Sequence, residues 1–318
     1  MKTVNKIWLL SLALGIVSCD DIFEKDITND TIQTISPSNE AVVESNVVNF
    51  QWNSLEGADK YRIQLIASNQ AIVLDSLVSK TNLTFPVTQG EYQWKVRGEN
   101  FAYQSSYSTL LNLTVIETSN LANQQVVLSS PSNGFYTNDT NLTCSWQGIN
   151  KVDYYDLELV NMTKGQTVVY QLSNITNTLA TLNNTILSQD AEYQWKIRAV
   201  NNTSKTAFAS RVFSLDKVNP NQPQNNLPAN NTVKVANQSI TFDWVSPTDT
   251  GIIQSPISYT IEFANSNVFT TIIQTSNSST TTFSQAFTLT GEYYWRIKTS
   301  DVAGNSSIYS APFKFTIN

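Results

Sequence analysis

The chain contains 318 residues, carries a formal net charge of −6 at pH 7 and has no histidine. An acidic chain lacks the basic surface that nucleic acid binding requires, and without histidine it lacks the commonest general base and metal ligand. Its two cysteines are too few for a cysteine-rich metal site. The composition therefore predicts a protein that is not an enzyme, has no catalytic residues, metal or cofactor, and does not bind nucleic acid.

The first 18 residues predict a signal peptide. Lys2 and Lys6 precede an apolar run over residues 7–17, which as a helix is too short to cross a hydrocarbon layer of about 30 Å. The segment Ile16-Val17-Ser18-Cys19 then resembles the lipobox of bacterial lipoproteins, in which the cysteine is acylated and becomes the mature N-terminus. This resemblance implies a lipid on Cys19. An ordinary signal peptide followed by a chance cysteine is the alternative.

An acidic segment, Asp20-Asp21-Ile22-Phe23-Glu24-Lys25-Asp26, follows the cysteine. It is similar to the export signal of surface-displayed lipoproteins in Bacteroidetes-type bacteria, which implies a lipid-anchored protein on the exterior of the outer membrane. The alternative is a solvated acidic tether on the periplasmic side. In both cases residues 19–30 are expected to form a lipidated tether, with the membrane as partner.

Two series of tryptophans recur through the rest of the chain. Neighbouring tryptophans within a series lie 94 to 101 residues apart, which is the length of a whole domain. The chain is therefore predicted to contain three similar modules. The first series is Trp52, Trp146 and Trp244, and the second is Trp94, Trp195 and Trp295.

Apolar and polar residues alternate around the second tryptophan of each module. Tyr92, Trp94 and Val96 are expected to face the core together, because side chains two residues apart lie on one face of a strand. Short alternating segments separated by Asn, Ser, Thr and Gly clusters predict an antiparallel β-sandwich. The side chains assigned to the core are the six tryptophans, Tyr92, Tyr193, Tyr293 and the thiol of Cys144.

A resemblance to a known family lies in the same segments. The run Gly291-Glu292-Tyr293-Tyr294-Trp295-Arg296-Ile297-Lys298, followed by Asp301-Val302-Ala303-Gly304-Asn305, resembles fibronectin type III modules of bacterial proteins. Related runs occur in all three modules, so the resemblance covers residues 31–318. It implies an all-β fold of three tandem antiparallel β-sandwiches, fibronectin type III or immunoglobulin-like, after a lipoprotein signal peptide.

The resemblance also implies module boundaries and a structural role for three tyrosines. Tyr92, Tyr193 and Tyr293 are expected to form the tyrosine corner, in which the hydroxyl bonds to nearby backbone. The modules are expected at residues 31–118, 124–216 and 224–318, with joints near 118–124 and 217–226.

Differences between the modules supply the candidate binding residues. Phe101 and Tyr103 have no counterparts in modules two and three, and exposed rings on a loop could stack on a sugar or anchor a protein partner. Local packing is the alternative. Module three contains extra residues within 246–256, which are either neutral variation or a binding loop.

These features favour a non-enzymatic cell-surface lipoprotein that presents tandem binding modules to a glycan or a surface protein. Two alternatives stay open at the level of sequence. The modules could serve as a structural spacer or scaffold of an outer-membrane assembly, or as an accessory protein of a glycan-uptake system. The sandwich fold alone does not choose among them, because it supports many functions.

Overall fold

The computed structural model describes residues 24–318. The predicted signal peptide and Cys19 lie outside the described residues. Within residues 24–318 the chain forms 24 β-strands and one short 3₁₀ helix at Leu121–Asn123, and it forms no α-helix. The strands build six sheets, a three-stranded and a five-stranded sheet for each module. The expected all-β fold of three tandem sandwiches is confirmed.

Module one shows the topology that the other two repeat. Strand order is β1-β3-β6 in the three-stranded sheet and β2-β8-β7-β4-β5 in the five-stranded sheet. All neighbours run antiparallel except β2 and β8, which are parallel because the chain changes sheets between β1 and β2. The strands are β1 Thr34–Ser36, β2 Ala41–Val43, β3 Val47–Trp52, β4 Lys60–Ala67, β5 Ile72–Val78, β6 Asn82–Pro86, β7 Gly90–Glu99 and β8 Leu111–Val115.

Modules two and three have the same strand order in both of their sheets. Module two contains β9 Leu128–Ser130, β10 Phe135–Thr137, β11 Leu142–Trp146, β12 Tyr154–Asn161, β13 Thr167–Ile175, β14 Leu179–Leu182, β15 Ala191–Val200 and β16 Ala209–Leu215. Module three contains β17 Gln224–Leu227, β18 Thr232–Lys234, β19 Ser239–Val245, β20 Ile257–Ala264, β21 Ile272–Ser278, β22 Thr282–Ala286, β23 Gly291–Asp301 and β24 Phe313–Ile317. Among the described residues, 24–43 and 48–115 of module one form one compact unit. Residues 44–47 and 116–318, which include modules two and three, form a second.

Aromatic rings from the two sheets fill each core. Phe50 meets Trp94 edge to face at 5.1 Å between ring centroids, and Phe242 meets Trp295 in the same way at 5.2 Å. Module two carries Cys144 where its neighbours carry phenylalanine, and burial raises the pKa of this thiol to about 12. The thiol is therefore protonated and unreactive at neutral pH. All six core tryptophans are at most 3% exposed.

The buried indoles have an energetic cost that their packing must exceed. None of the six indole N–H groups has a hydrogen-bond acceptor among the described residues. Leaving such a donor unsatisfied costs about 1–3 kcal/mol. Burying about 150–250 Å² of ring contributes roughly 4–6 kcal/mol at ~25 cal/mol per Å². Ring burial therefore exceeds the cost of the unpaired N–H group at each position.

The tyrosines two residues before the second tryptophan close one end of each sandwich. The hydroxyl of Tyr92 donates to the carbonyl of Thr88 at 3.0 Å. Tyr193 and Tyr293 make the same bond to the carbonyl four residues upstream, at 2.8 Å and 3.0 Å. The rings are buried while the hydroxyls find a backbone partner, which is the arrangement of a tyrosine corner.

The outward face of each five-stranded sheet carries a ladder of cations and aromatic rings. The guanidinium of Arg97 lies 4.8 Å from the ring of Tyr107, and that of Arg198 lies 4.7 Å from the ring of Phe208. Burial opposes ionisation of Glu99, but hydrogen bonds from Arg97 and Arg62 outweigh it and lower the pKa of that carboxyl below its usual value. The arginine side chains therefore pack against aromatic rings on the outward face of the sheet.

Candidate functional site

One hydrogen-bonding pattern recurs in the loop between the last two strands of every module. We call these loops, at residues 100–104, 201–205 and 301–306, the loop clamps. Each holds the incoming segment of its own module, which is the stretch of chain that leads into that module. The incoming segments are residues 25–30, 119–121 and 216–218.

In module one the organising residue of the loop clamp is Asn100. Its side-chain oxygen accepts hydrogen bonds from the backbone N–H groups of Ala102 at 3.1 Å and Tyr103 at 2.7 Å. Its side-chain NH₂ donates to the carbonyls of Lys25 at 2.9 Å and Gly57 at 2.8 Å. One asparagine therefore joins its own loop, the incoming segment and the loop between β3 and β4.

The incoming segment of module one packs closely on the same end of the sandwich. Ile27 is fully buried, and the N–H of Ser106 donates to the carbonyl of Asp30 at 3.1 Å. Gly57 has a φ of +89°, and a Cβ at this position would lie 2.9 Å from the Cβ of Lys25. Glycine is required here for both conformation and space. Residues 25–30, which the sequence assigns to the tether, therefore pack against module one.

Module two repeats these contacts with Asn201. Its side-chain oxygen accepts from the N–H of Ser204 at 2.8 Å, and its NH₂ donates to the carbonyls of Ser119 at 2.9 Å and Lys151 at 3.0 Å. The hydroxyl of Ser204 accepts a further bond from the N–H of Leu121 at 2.9 Å. Leu121 is fully buried, as Ile27 is in module one.

Module three divides the same task between Asp301 and Asn305. The carboxylate of Asp301 accepts from the N–H groups of Gly304 at 2.8 Å and Asn305 at 2.7 Å. The side-chain NH₂ of Asn305 donates to Asp301 at 2.8 Å and to the carbonyl of Asp216 at 2.8 Å. Because Asp216 comes directly after β16, this clamp connects modules two and three.

The segment at 246–256, which is longer in module three, also contacts this joint. The carboxylate of Asp216 is completely buried and accepts from the N–H of Ser255 at 3.2 Å and from its hydroxyl at 2.8 Å. It also accepts from the N–H of Val218 at 3.2 Å. From the sequence, this segment is either neutral variation or a binding loop. In the structure it supplies hydrogen bonds to the end of module two.

The two sequence-predicted binding residues lie in the loop clamp of module one. Phe101 is at its tip and is 94% exposed, whereas Tyr103 is 37% exposed. Phe101 is therefore not a core side chain of module one. Both rings are carried by a loop that Asn100 holds by three backbone contacts within the loop, two from its side chain and one from its own N–H to the carbonyl of Tyr103 at 3.0 Å.

Residues 24–318 contain neither a cluster of metal ligands nor a membrane-spanning helix. No group of three or more Cys, Asp, Glu or His side chains is arranged there to hold a metal ion. No helix in that part of the chain is long and apolar enough to cross a membrane.

The strand order identifies the fold of the modules. A three-stranded sheet faces a five-stranded sheet, the chain changes sheets between the first two strands, and a tyrosine corner closes one end. Each module is a fibronectin type III-like sandwich.

The chain is similar to known proteins in structure and not in sequence. No protein-family model and no curated protein matches the chain. Among solved structures, the chain is similar to the FN1–FN3 domains of chicken CNTN1, with 14% identity, a TM-score of 0.46, and coverage of 90% of this chain and 97% of that one.

Two further solved structures show the same kind of similarity. For the fibronectin(III)-like modules of Clostridium thermocellum CbhA, the identity is 16%, the TM-score 0.38, and the coverage 61% of this chain and 93% of that one. For a two-domain fibronectin type III segment of chicken tenascin, the values are 15%, 0.22, 57% and 97%. The fold assignment of the fibronectin type III-like modules rests on their strand order.

We predict that Asn305→Ala weakens the joint between modules two and three. The substitution removes the side-chain NH₂ group that donates one hydrogen bond to the Asp216 carbonyl and one to the Asp301 carboxylate. An unsatisfied buried acceptor costs about 1–3 kcal/mol. The free energy of unfolding, measured by urea titration, should fall by about that amount. Asn202→Ala, at the exposed tip of the module-two loop clamp, should change it by less than about 0.5 kcal/mol. Equal effects of the two variants would contradict this role of Asn305.

Proposed function

We propose that this chain is a non-enzymatic lipoprotein of the cell surface, with a lipid on Cys19 and three fibronectin type III-like modules that serve as a scaffold outside the outer membrane. The observation that carries the proposal is the loop clamp present in every module. Each module binds the segment that leads into it, so the chain is held at the start of each module.

The joint between modules two and three favours a scaffold over a pair of modules that move independently. Asp216 is buried there among donors from module three, including Ser255 and Asn305. The backbone N–H of Asn138 in module two also donates to the carbonyl of Ala303 at 2.9 Å. Buried hydrogen bonds that connect two modules limit their relative motion, because breaking them leaves polar groups unsatisfied.

The lipid anchor is tested by metabolic labelling with radioactive palmitate. We expect the wild-type protein to incorporate label and Cys19→Ser to incorporate none, because only the thiol of the lipobox cysteine accepts the lipid. Cys144→Ser is the matched control and should label like the wild type, since Cys144 is buried. Equal labelling of wild type and Cys19→Ser would contradict the anchor. Digestion of the protein by protease added to intact cells separates the external face from the periplasmic face.

A second candidate function, the binding of a protein ligand, is favoured by strand β13. This strand lies at the edge of its five-stranded sheet and is nine residues long. It exposes Val168, Val169 and Leu172 to solvent. A free edge strand presents unpaired backbone groups, and a partner segment can add to it as a further strand. This feature favours a protein ligand over a glycan.

The second candidate predicts a partner whose capture depends on this edge. The wild-type protein should recover a specific protein from an outer-membrane extract, and Val168→Lys with Val169→Lys should reduce the recovery several-fold, because lysines disfavour strand addition. Thr176→Lys with Asn177→Lys, two exposed positions in the loop after β13, is the matched control for added charge. Recovery that is unaffected by the double substitution, or no specific partner at all, would contradict binding at β13.

A further inference from the structure

Phe101 is an apolar side chain that is held in contact with water, which is energetically unfavourable. Its ring is 94% exposed although the loop that carries it is fixed by Asn100. Transfer of such a ring from water to an apolar environment is worth about 1.5–3 kcal/mol. A fixed loop cannot gain this energy by folding the ring back onto the module, so the gain requires a partner surface.

The position of Phe101 in the chain indicates which surface that is. Asn100, its neighbour, holds the carbonyl of Lys25 at 2.9 Å. Lys25 is only six residues after Cys19. Six extended residues span at most about 20 Å. A lipid on Cys19 therefore keeps this end of module one within about 20 Å of the bilayer.

We propose that Phe101, with Tyr103 beside it, enters the interfacial layer of the membrane to which Cys19 attaches the chain. This inference rests on the proposed lipid anchor. Tyrosine is favoured at the level of the lipid headgroups, because it buries an apolar body and keeps its hydroxyl in water. Phenylalanine adds apolar area that enters the boundary between headgroups and acyl chains. The half-exposed Tyr103 has the polar hydroxyl that this layer accommodates. The loop clamp of module one then provides a second attachment, which sets the orientation of the module on the membrane.

The other loop clamps are consistent with a role for Phe101 that is specific to the module next to the anchor. The residue after the organising side chain is Asn202 in module two and Val302 in module three. Neither is aromatic, and neither module follows a lipidated residue. The aromatic tip occurs only in the module that the proposed anchor brings to the bilayer.

Charges at this end of module one indicate the kind of lipid. Lys25 forms an ion pair with Glu56 at 3.3 Å, and the side chain of Glu56 is 88% exposed. Asp26 and Asp30 add negative charge to the incoming segment, and Glu24 directly precedes it. Basic residues attract anionic lipids, and this end has no excess of them. The insertion is therefore expected in vesicles of phosphatidylcholine alone.

The test places an environment-sensitive fluorophore at the tip of the loop clamp. Phe101→Cys and the matched control Asn202→Cys are made in the full acylated chain, labelled with a nitrobenzoxadiazole maleimide and reconstituted in phosphatidylcholine vesicles. Cys144 is fully buried and Cys19 is acylated, so the label is confined to the introduced cysteine. We expect the label at position 101 to be quenched several-fold more by a lipid-borne quencher than the label at 202, and its emission to shift to the blue.

The outcomes separate this inference from the lipid anchor. If the protein floats with the vesicles but the label at 101 is quenched no more than the label at 202, membrane contact by Phe101 is wrong while the anchor stands. If the wild-type protein fails to float, the anchor is wrong and the inference with it. Flotation lost in Cys19→Ser, together with strong quenching at 101 in the acylated protein, supports both.

Discussion

The structure depends on a small set of hydrogen bonds between each loop clamp and the segment that leads into its module. In modules one and two a single asparagine supplies them, with its oxygen toward its own loop and its NH₂ toward the incoming carbonyl. In module three Asp301 and Asn305 share the work. Because these bonds connect each module to its own incoming segment, residues 25–30, 119–121 and 216–218 belong structurally to the modules that they lead into. The proposed scaffold is argued from this arrangement, and the proposed membrane contact is argued from it together with the proposed lipid on Cys19.

Each module has its own hydrophobic core below the loop clamp, which explains how the ends can differ. Each sandwich buries two indoles against rings or apolar side chains of the opposite sheet, and the gain outweighs the unpaired N–H groups. Module two has Cys144 at the position of the core phenylalanine, and its Trp146 and Trp195 rings lie 6.5 Å apart between centroids. The loops at the ends therefore carry the differences between modules, and the differences seen at Phe101 and Ser255 lie there.

The sequence predicted the repeated elements well because their physical signal is periodic. Alternation around Trp94 predicted the strand and its buried face, and the resemblance to fibronectin type III modules implied the corner at Tyr92. The loop clamps were missed because a side-chain hydrogen bond to a segment 75 residues away leaves no period. A signal was nevertheless present, since Asn100, Asn201 and Asp301 each follow the second tryptophan by six residues. Lipidation of Cys19 and the ligand roles of Phe101 and Tyr103 stay predictions.

Hydrogen–deuterium exchange over residues 25–30 tests most directly whether the incoming segment belongs to module one. The N–H of Asp30 donates to the carbonyl of Ile27 at 3.0 Å, and Asn100 fixes the start of the segment. We expect slow exchange of the Asp30 amide in the wild type and faster exchange in Asn100→Ala, with no change in Asn201→Ala, which should instead affect residues 119–121. Exchange of the Asp30 amide at the rate of an unstructured peptide in the wild-type protein would contradict the account.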